Sequence, residues 1–258
     1  MIDIHNHLLP GIDDGAKDIE ETLKMCRMAV DDGIQIIVAT PHSFDGKFLN
    51  RPETVISQVQ DLNTKLAAIG LDVTIMPGME VRIVADLPQL LADGQILALN
   101  EGKYILLEFH PAQIPAGLEN LARDLASSGF FFVLGHPEKN SIIQSTPEYL
   151  FKLLKHFRPW ELVVQVSADS LTGENGFSAR RTVTTLLKHN LAHIIATDAH
   201  SSSKRVPRLS GAVKAASRLV GGENAVKMVQ EIPKAVLTGG VFPEYWEPTN
   251  PRRWWRIL

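Results

Sequence analysis

The chain has 258 residues, 45% of them apolar, and a formal net charge of −3 from 26 lysines and arginines against 29 aspartates and glutamates. That length fits one α/β barrel of about 250 residues, and the apolar share is enough for a full core. The charge argues against a general nucleic-acid binder, and the single cysteine, Cys26, excludes a disulfide framework and suits the cytoplasm.

Strand-like sequence begins at once with "IDIH", without a basic leader or a cleavage site, and no apolar run is long enough to span a bilayer. Neither membrane insertion nor a signal peptide is expected. "DIEETLKMCRMAVDDG" then sets Ile19, Leu23, Cys26 and Val30 on one helical face that stops at Gly33. The short strand "IQIIVAT" follows. A second helical stripe carries Val55, Val59, Leu62, Leu66 and Ile69, and "DVTIMPGMEV" reads as the third strand. Further strands are "KYILLEF", "FFFVLG", "ELVVQVS" and "AHIIAT", with helices expected over roughly 116–128, 147–157 and 178–189 between them. Beyond residue 200 the pattern is helical over about 206–219 and 222–230, and "PEYWEPTNPRRWWRIL" has no clear period. Seven apolar strands, nearly all followed by helices, imply a parallel sheet covered on both faces or closed into a barrel. No linker, repeat or low-complexity tract divides the chain, so one domain over 1–258 is expected.

The strand ends carry the chemistry. The first strand ends in His5 and His7, two residues apart and therefore on one face, with Asp13 and Asp14 just beyond. The next tips bring His42 in "ATPH", Glu80 in "PGMEV", Glu108 and His110 in "LLEFH", His136 in "LGHPEK", and Asp198 and His200 in "ATDAH". Taken singly, each reads as an ordinary turn, cap or surface residue. Together they place six of the nine histidines at strand tips, which in a barrel converge on one mouth. A multinuclear metal site is the reading that accounts for that distribution.

The ordered set "DIHNH", "ATPH", "PGMEV", "LLEF", "GHPEK" and "ATDAH" resembles the PHP superfamily, named for polymerase and histidinol phosphatase domains. "DIHNHLLPGIDDG" and "SADSLTG" are similar to its bacterial capsule-operon branch of manganese-dependent protein-tyrosine phosphatases. The resemblance covers about residues 1–240. It implies a distorted seven-stranded (β/α) barrel with three divalent metal ions at the mouth, manganese by preference with iron or zinc also suited to the donors. It assigns His5, His7, Glu80 and Asp198 to the first ion, Glu80, Glu108 and His136 to the second, and Asp14, His42 and His200 to the third. It also implies a cytoplasmic enzyme whose partner is a phosphotyrosine-bearing protein, a bacterial tyrosine autokinase of capsule or exopolysaccharide synthesis.

Three dications against the carboxylates of Asp14, Glu80, Glu108 and Asp198 leave a net positive site, which suits a phosphomonoester dianion better than a neutral amide. Hydrolysis then follows by in-line attack of an activated water on phosphorus. Two positions depart from the branch pattern: Ser43 stands where a second histidine is usual, and Lys139 stands where an arginine seats phosphotyrosine. Lysine keeps the charge but lacks the planar fork. Lys139 and Arg205 are the candidate catalytic and substrate-binding cations. Among the residues left over, His110 is expected to line the mouth, His156, His189 and His193 to be structural or superficial, Cys26 to be core, and Trp254 and Trp255 to pack at the C-terminus. The alternatives are a PHP phosphoesterase acting on a small metabolite such as histidinol phosphate or a nucleotide, a metal-dependent amidohydrolase, and a non-catalytic PHP module.

Overall fold

The structure, a computed structural model, describes residues 1–251; Trp254 and Trp255 lie outside them. Nine strands form where seven were expected: β1 (Ile2–Asn6), β2 (Ile36–Ala39), β3 (His42–Ser43), β4 (Thr74–Pro77), β5 (Glu80–Arg82), β6 (Tyr104–Glu108), β7 (Phe131–Gly135), β8 (Leu162–Ser167) and β9 (Ile194–Ala196). The excess has a local cause. The second and third expected strands each break in two, at Thr40-Pro41 and at Gly78-Met79. Pro41 has no N–H to give to a ladder, although its carbonyl still accepts from Glu80 N–H at 3.1 Å. Gly78 sits so close to its neighbours that a Cβ there would meet Leu99 and Val38 side-chain atoms at 2.9 Å.

All pairings are parallel. They form a three-stranded sheet in the order β1-β2-β4 and a six-stranded sheet in the order β3-β5-β6-β7-β8-β9. The expected barrel is therefore not one uninterrupted closed ladder among the described residues. The two sheets meet where Asp198 N–H bonds to His5 O and His7 N–H bonds to Ala199 O, both at 2.8 Å.

Helices fill the connections. Helix Ile19–Asp31 starts at Asp18, whose side chain accepts from Glu21 N–H at 2.9 Å, and buries Met25, Cys26 and Ala29. Helix Pro52–Ala68 buries Val55, Val59, Leu62 and Leu66, the stripe read from the sequence, while Ile69 just beyond it is exposed. Leu118–Ser127, Glu148–Leu154 and Gly176–Lys188 fall close to the expected runs. Past residue 200 there are three helices rather than two, Ser210–Val220, Gly222–Lys227 and Glu231–Thr238, and the short helices Leu87–Ala92, Ser141–Ser145 and Ala168–Thr172 were not anticipated. Six-residue and shorter helices carry too little period to register. Among the described residues no helix is long and apolar enough to cross a membrane.

One apolar cluster, including Ile2, Ile4, Val38, Leu106, Val133, Val163, Ile194 and Ala196, gathers one set of alternating strand residues, here called inner. A larger cluster packs the helices onto the strands' outer faces. The inner cluster gives way to polar side chains toward the C-terminal strand ends, and that is where the site lies.

Candidate metal centre

His5 and His7 leave β1 and its extension almost fully buried, with their Nε2 atoms 3.2 Å apart. The strand register shifts between Asp3 and Asn6, the interval that holds Ile4 and His5. Glu80, at the start of β5, is the hub. Its Oε2 lies 3.3 Å from His5 Nε2, 3.4 Å from His7 Nε2 and 2.9 Å from His42 Nδ1, and its Oε1 lies 2.7 Å from His136 Nε2. Asp198 Oδ1 is 3.5 Å and 3.6 Å from the Nε2 atoms of His5 and His7. Asp14 Oδ1 approaches His200 Nε2 at 3.4 Å and His42 Nε2 at 3.5 Å. Glu108 Oε1 lies 3.7 Å from His42 Nδ1 and 2.8 Å from the guanidinium of Arg82.

All nine residues named as metal ligands from the sequence thus come together. They form four overlapping groups with mutually close donor atoms: His7 with Asp14, His42 and His200; His5 with His7 and Glu80; His5 with His136 and Asp198; and His42 with Glu80 and Glu108. The grouping differs in part from the partition implied by the resemblance, since His7 also joins Asp14 and His42 also joins Glu108. The donors suit a divalent cation. His42 Nδ1, Glu80 Oε2, Glu108 Oε1 and His200 Nε2 are buried in ion-pair contacts with one another, with Arg82 and with Asp14, yet none makes a well-formed hydrogen bond among the described residues. Buried polar atoms left unsatisfied are unfavourable, and a mixed imidazole and carboxylate set of this kind is what manganese, iron or zinc accepts.

Two supporting contacts fix the imidazoles. Asp13 Oδ2 lies 2.7 Å from His7 Nδ1, and Gln165 Oε1 lies 3.0 Å from His5 Nδ1. A carboxylate or amide oxygen there requires Nδ1 to donate, which leaves Nε2 with a lone pair toward the cluster. Asp13 is tied down in turn by Gly15 N–H at 2.9 Å and His42 N–H at 3.1 Å. Sequence reasoning saw Asp13 without giving it a role and missed Gln165. A glutamine in the apolar run "ELVVQVS" was the available signal.

The charges are strongly coupled. Burial raises the Glu80 carboxyl, but His5 and His136 outweigh it and hold the group well below the usual carboxylate range. Asp198 behaves alike, with burial opposed by Lys139, His5 and Arg205. Burial, then the Glu80 charge, pushes Glu108 up to about 7. Burial acts to lower His7, yet Asp13 and Glu80 lift it to about 10.

The two rim cations both face Asp198. Arg205 donates to Oδ1 at 2.6 Å and the Lys139 ammonium pairs with Oδ2. They border a cavity of about 200 Å³ lined also by His42, Glu108, Phe109 and His136. His136, Asp198 and Arg205 have φ of 30°, 53° and 51°, a left-handed region that disfavours residues other than glycine and that gathers at functional sites. His110 is exposed, and its Nδ1 accepts from Ala112 N–H at 3.2 Å. His156 is exposed, His189 and His193 are buried near the opposite strand ends, and Cys26 is core, its thiol pushed up to about 12 by burial.

Fold and cluster together define a parallel α/β protein with a histidine–carboxylate centre suited to divalent cations at the C-terminal strand tips. The chain belongs to the CpsB/CapC family of capsular polysaccharide synthesis, whose model matches residues 1–238. It is 33% identical to the tyrosine-protein phosphatase YwqE of Bacillus subtilis over 253 residues, covering 98% of each chain. It is also 33% identical to the putative tyrosine-protein phosphatase CapC of Staphylococcus aureus, over 80% of this chain and 79% of that one. Among solved structures, one of the metal-dependent tyrosine phosphatases YwqE from Bacillus subtilis and CpsB from Streptococcus pneumoniae superposes with a TM-score of 0.91 at 33% identity, covering 97% of this chain and 99% of that one.

Proposed function

We propose that this protein is a metal-dependent protein-tyrosine phosphatase acting on a phosphotyrosine-bearing partner, a bacterial tyrosine autokinase, in capsule or exopolysaccharide synthesis. The observation that carries the reading is the convergence of nine histidine and carboxylate side chains on one mouth, several of whose buried donor atoms make no well-formed hydrogen bond among the described residues. The family and the relatives' activity agree with it.

In this reading His5, His7, Glu80 and Asp198 hold one ion, Glu80, Glu108 and His136 a second, and Asp14, His42 and His200 a third, with manganese preferred. Such ions would supply charge neutralisation for the phosphoryl oxygens and acidification of a water nucleophile near neutral pH. The chain's own residues do the rest. Asp13 and Gln165 hold two imidazoles with Nε2 facing the centre. Lys139 and Arg205 stand at the rim, where cations meet the outer phosphoryl oxygens. The tyrosine leaving group, with a pKa of about 10, departs with little acid assistance. The nine strands amount to seven chain segments in a ring, because the two broken strands continue across Pro41 and Gly78, and one domain spanning the chain carries the site. The protein works in the cytoplasm.

The test is an assay of the Mn²⁺-loaded protein against a phosphotyrosine peptide, a phosphoserine peptide and histidinol phosphate. Turnover concentrated on the first is expected; turnover mostly on histidinol phosphate would replace this reading with that of a small-metabolite phosphoesterase.

A further inference from the structure

Between His136 and Lys139 stands a side chain that the phosphatase reading leaves without a task. Glu138 lies in the turn Pro137–Lys139 and is fully buried. Its Oε1 accepts from Ser167 N–H at 3.0 Å and from Ser170 Oγ–H at 2.7 Å, at the tip of β8 and in the helix that follows. Asn175 Nδ2 donates to Ser170 Oγ at 3.0 Å and to Ser167 Oγ at 3.3 Å. Glu138 Oε2 has no hydrogen-bond partner among the described residues. A buried carboxylate with one oxygen unpartnered is unfavourable, so packing alone would be better served by an apolar residue.

The turn it belongs to is demanding. His136 opens it at a φ of 30°, and Lys139 N–H closes back on His136 O at 3.0 Å. From this single turn His136 reaches Glu80 at 2.7 Å and Lys139 pairs with Asp198. Asn140 fastens the other flank, its Nδ2 donating to His110 O at 2.8 Å and Gln113 O at 3.1 Å. Among the described residues, the Glu138 carboxylate makes the only side-chain hydrogen bond that ties the turn to β8.

We infer that Glu138 is a positioning residue, whose bonds to Ser167 and Ser170 fix the turn so that His136 and Lys139 address the metal centre and the substrate phosphate together. The inference rests on the metal-phosphatase reading above. It is tested on the full chain by calorimetric Mn²⁺ titration, by kcat and KM for a phosphotyrosine peptide at saturating Mn²⁺, and by thermal unfolding. Glu138→Ala should weaken Mn²⁺ binding about 10- to 100-fold, the range for groups that orient metal ligands, and should raise KM more than it lowers kcat. Glu138→Gln keeps an oxygen that accepts both bonds and should restore both quantities toward wild type. Ser170→Ala, which removes the bond to Glu138 together with the one Ser170 accepts from Asn175 and leaves the turn's sequence intact, should show a loss of about two- to tenfold with an unfolding temperature lowered by no more than a few degrees. It serves as the measure if Glu138→Ala does not fold. Wild-type Mn²⁺ affinity and KM in Glu138→Ala or Ser170→Ala, or a Glu138→Gln as impaired as the alanine variant, overturns the inference alone. A wild-type chain that binds no Mn²⁺ overturns the metal reading and this inference with it.

Discussion

The two ends of the strand bundle bury histidines in contrasting surroundings. At the mouth His7 is fully buried, yet Asp13 and Glu80 overcome the burial and lift it to about 10, while burial and the His7 charge hold its neighbour His200 down to about 4. At the other end His193 is equally buried among Trp160 and Tyr245 rings, its Nδ1 accepting from Val164 N–H at 3.0 Å, and burial alone pushes it down to about 4. Burial by itself disfavours the charged imidazole. Only the mouth surrounds its histidines with carboxylates, and a potential that holds a proton on an imidazole also favours a divalent cation in its place. The floor carries an aromatic cluster, with Trp160 and Phe242 stacked at 4.6 Å and Tyr104 donating to Trp160 O at 2.8 Å. The mouth is an assembly for cations built on that support.

The comparison predicts that changes at the mouth alter function and changes at the floor alter stability. The largest effect should come from His136→Ala, which removes a donor next to Glu80. The kcat/KM for a phosphotyrosine peptide should fall by roughly a thousandfold or more while the circular dichroism spectrum stays native, because the inner apolar cluster does not depend on the mouth. A variant with wild-type rates would contradict the ligand assignment.

One step outward, Asp13→Ala and Gln165→Ala each release an imidazole of the proposed metal centre. Their Mn²⁺ affinity should drop about 10- to 100-fold, read by calorimetry. At the rim, a charge-assisted bond to phosphate contributes roughly 1.5–3 kcal/mol. Arg205→Ala should therefore lower kcat/KM about ten- to a hundredfold. Lys139→Arg should raise activity toward phosphotyrosine peptides by restoring the planar fork, and unchanged kinetics in Lys139→Ala would mean that this position does not touch the phosphate.

The smallest effect belongs to the floor. Folded His193 titrates near 4, against an ordinary value of 6.5. Between those values the unfolded chain binds more protons than the folded one, so stability rises with pH and is lost as pH falls below 6.5. The slope from this residue approaches 1.4 kcal/mol per pH unit. Chemical denaturation at pH 6.5 and 5.5 should show wild type losing about 1 kcal/mol more than His193→Gln over that interval, with phosphatase activity at neutral pH unaffected.

How much of this was legible in the sequence depended on the kind of signal. His5 and His7, His42, Glu80, Glu108, His136, Asp198 and His200 were readable because each follows an apolar strand, and parallel strands bring their C-terminal ends together whatever closes the sheet. The breaks at Pro41 and Gly78 were not read: proline and glycine inside a strand-like run mark irregularity without saying how far pairing continues beyond it. The residue pattern alone did not separate Asp13 from Asp14; the resemblance named Asp14, and the loop's path brings Asp13 to His7 and Asp14 to His200. Gln165 and Glu138 escaped because a ligand-holding residue leaves no spacing pattern of its own. Arg82 was missed for the same reason, and its pairing with Glu108 depends on the alignment of β5 with β6.

The central claim is that the mouth is a polynuclear metal centre. The most direct measurement is anomalous scattering at the manganese edge from crystals of the Mn²⁺-loaded protein. About three peaks should appear among His5, His7, Asp14, His42, Glu80, Glu108, His136, Asp198 and His200, with Glu80 between two of them and donor distances of roughly 2.0–2.3 Å. Absence of any peak at the mouth of a fully loaded crystal would contradict the account.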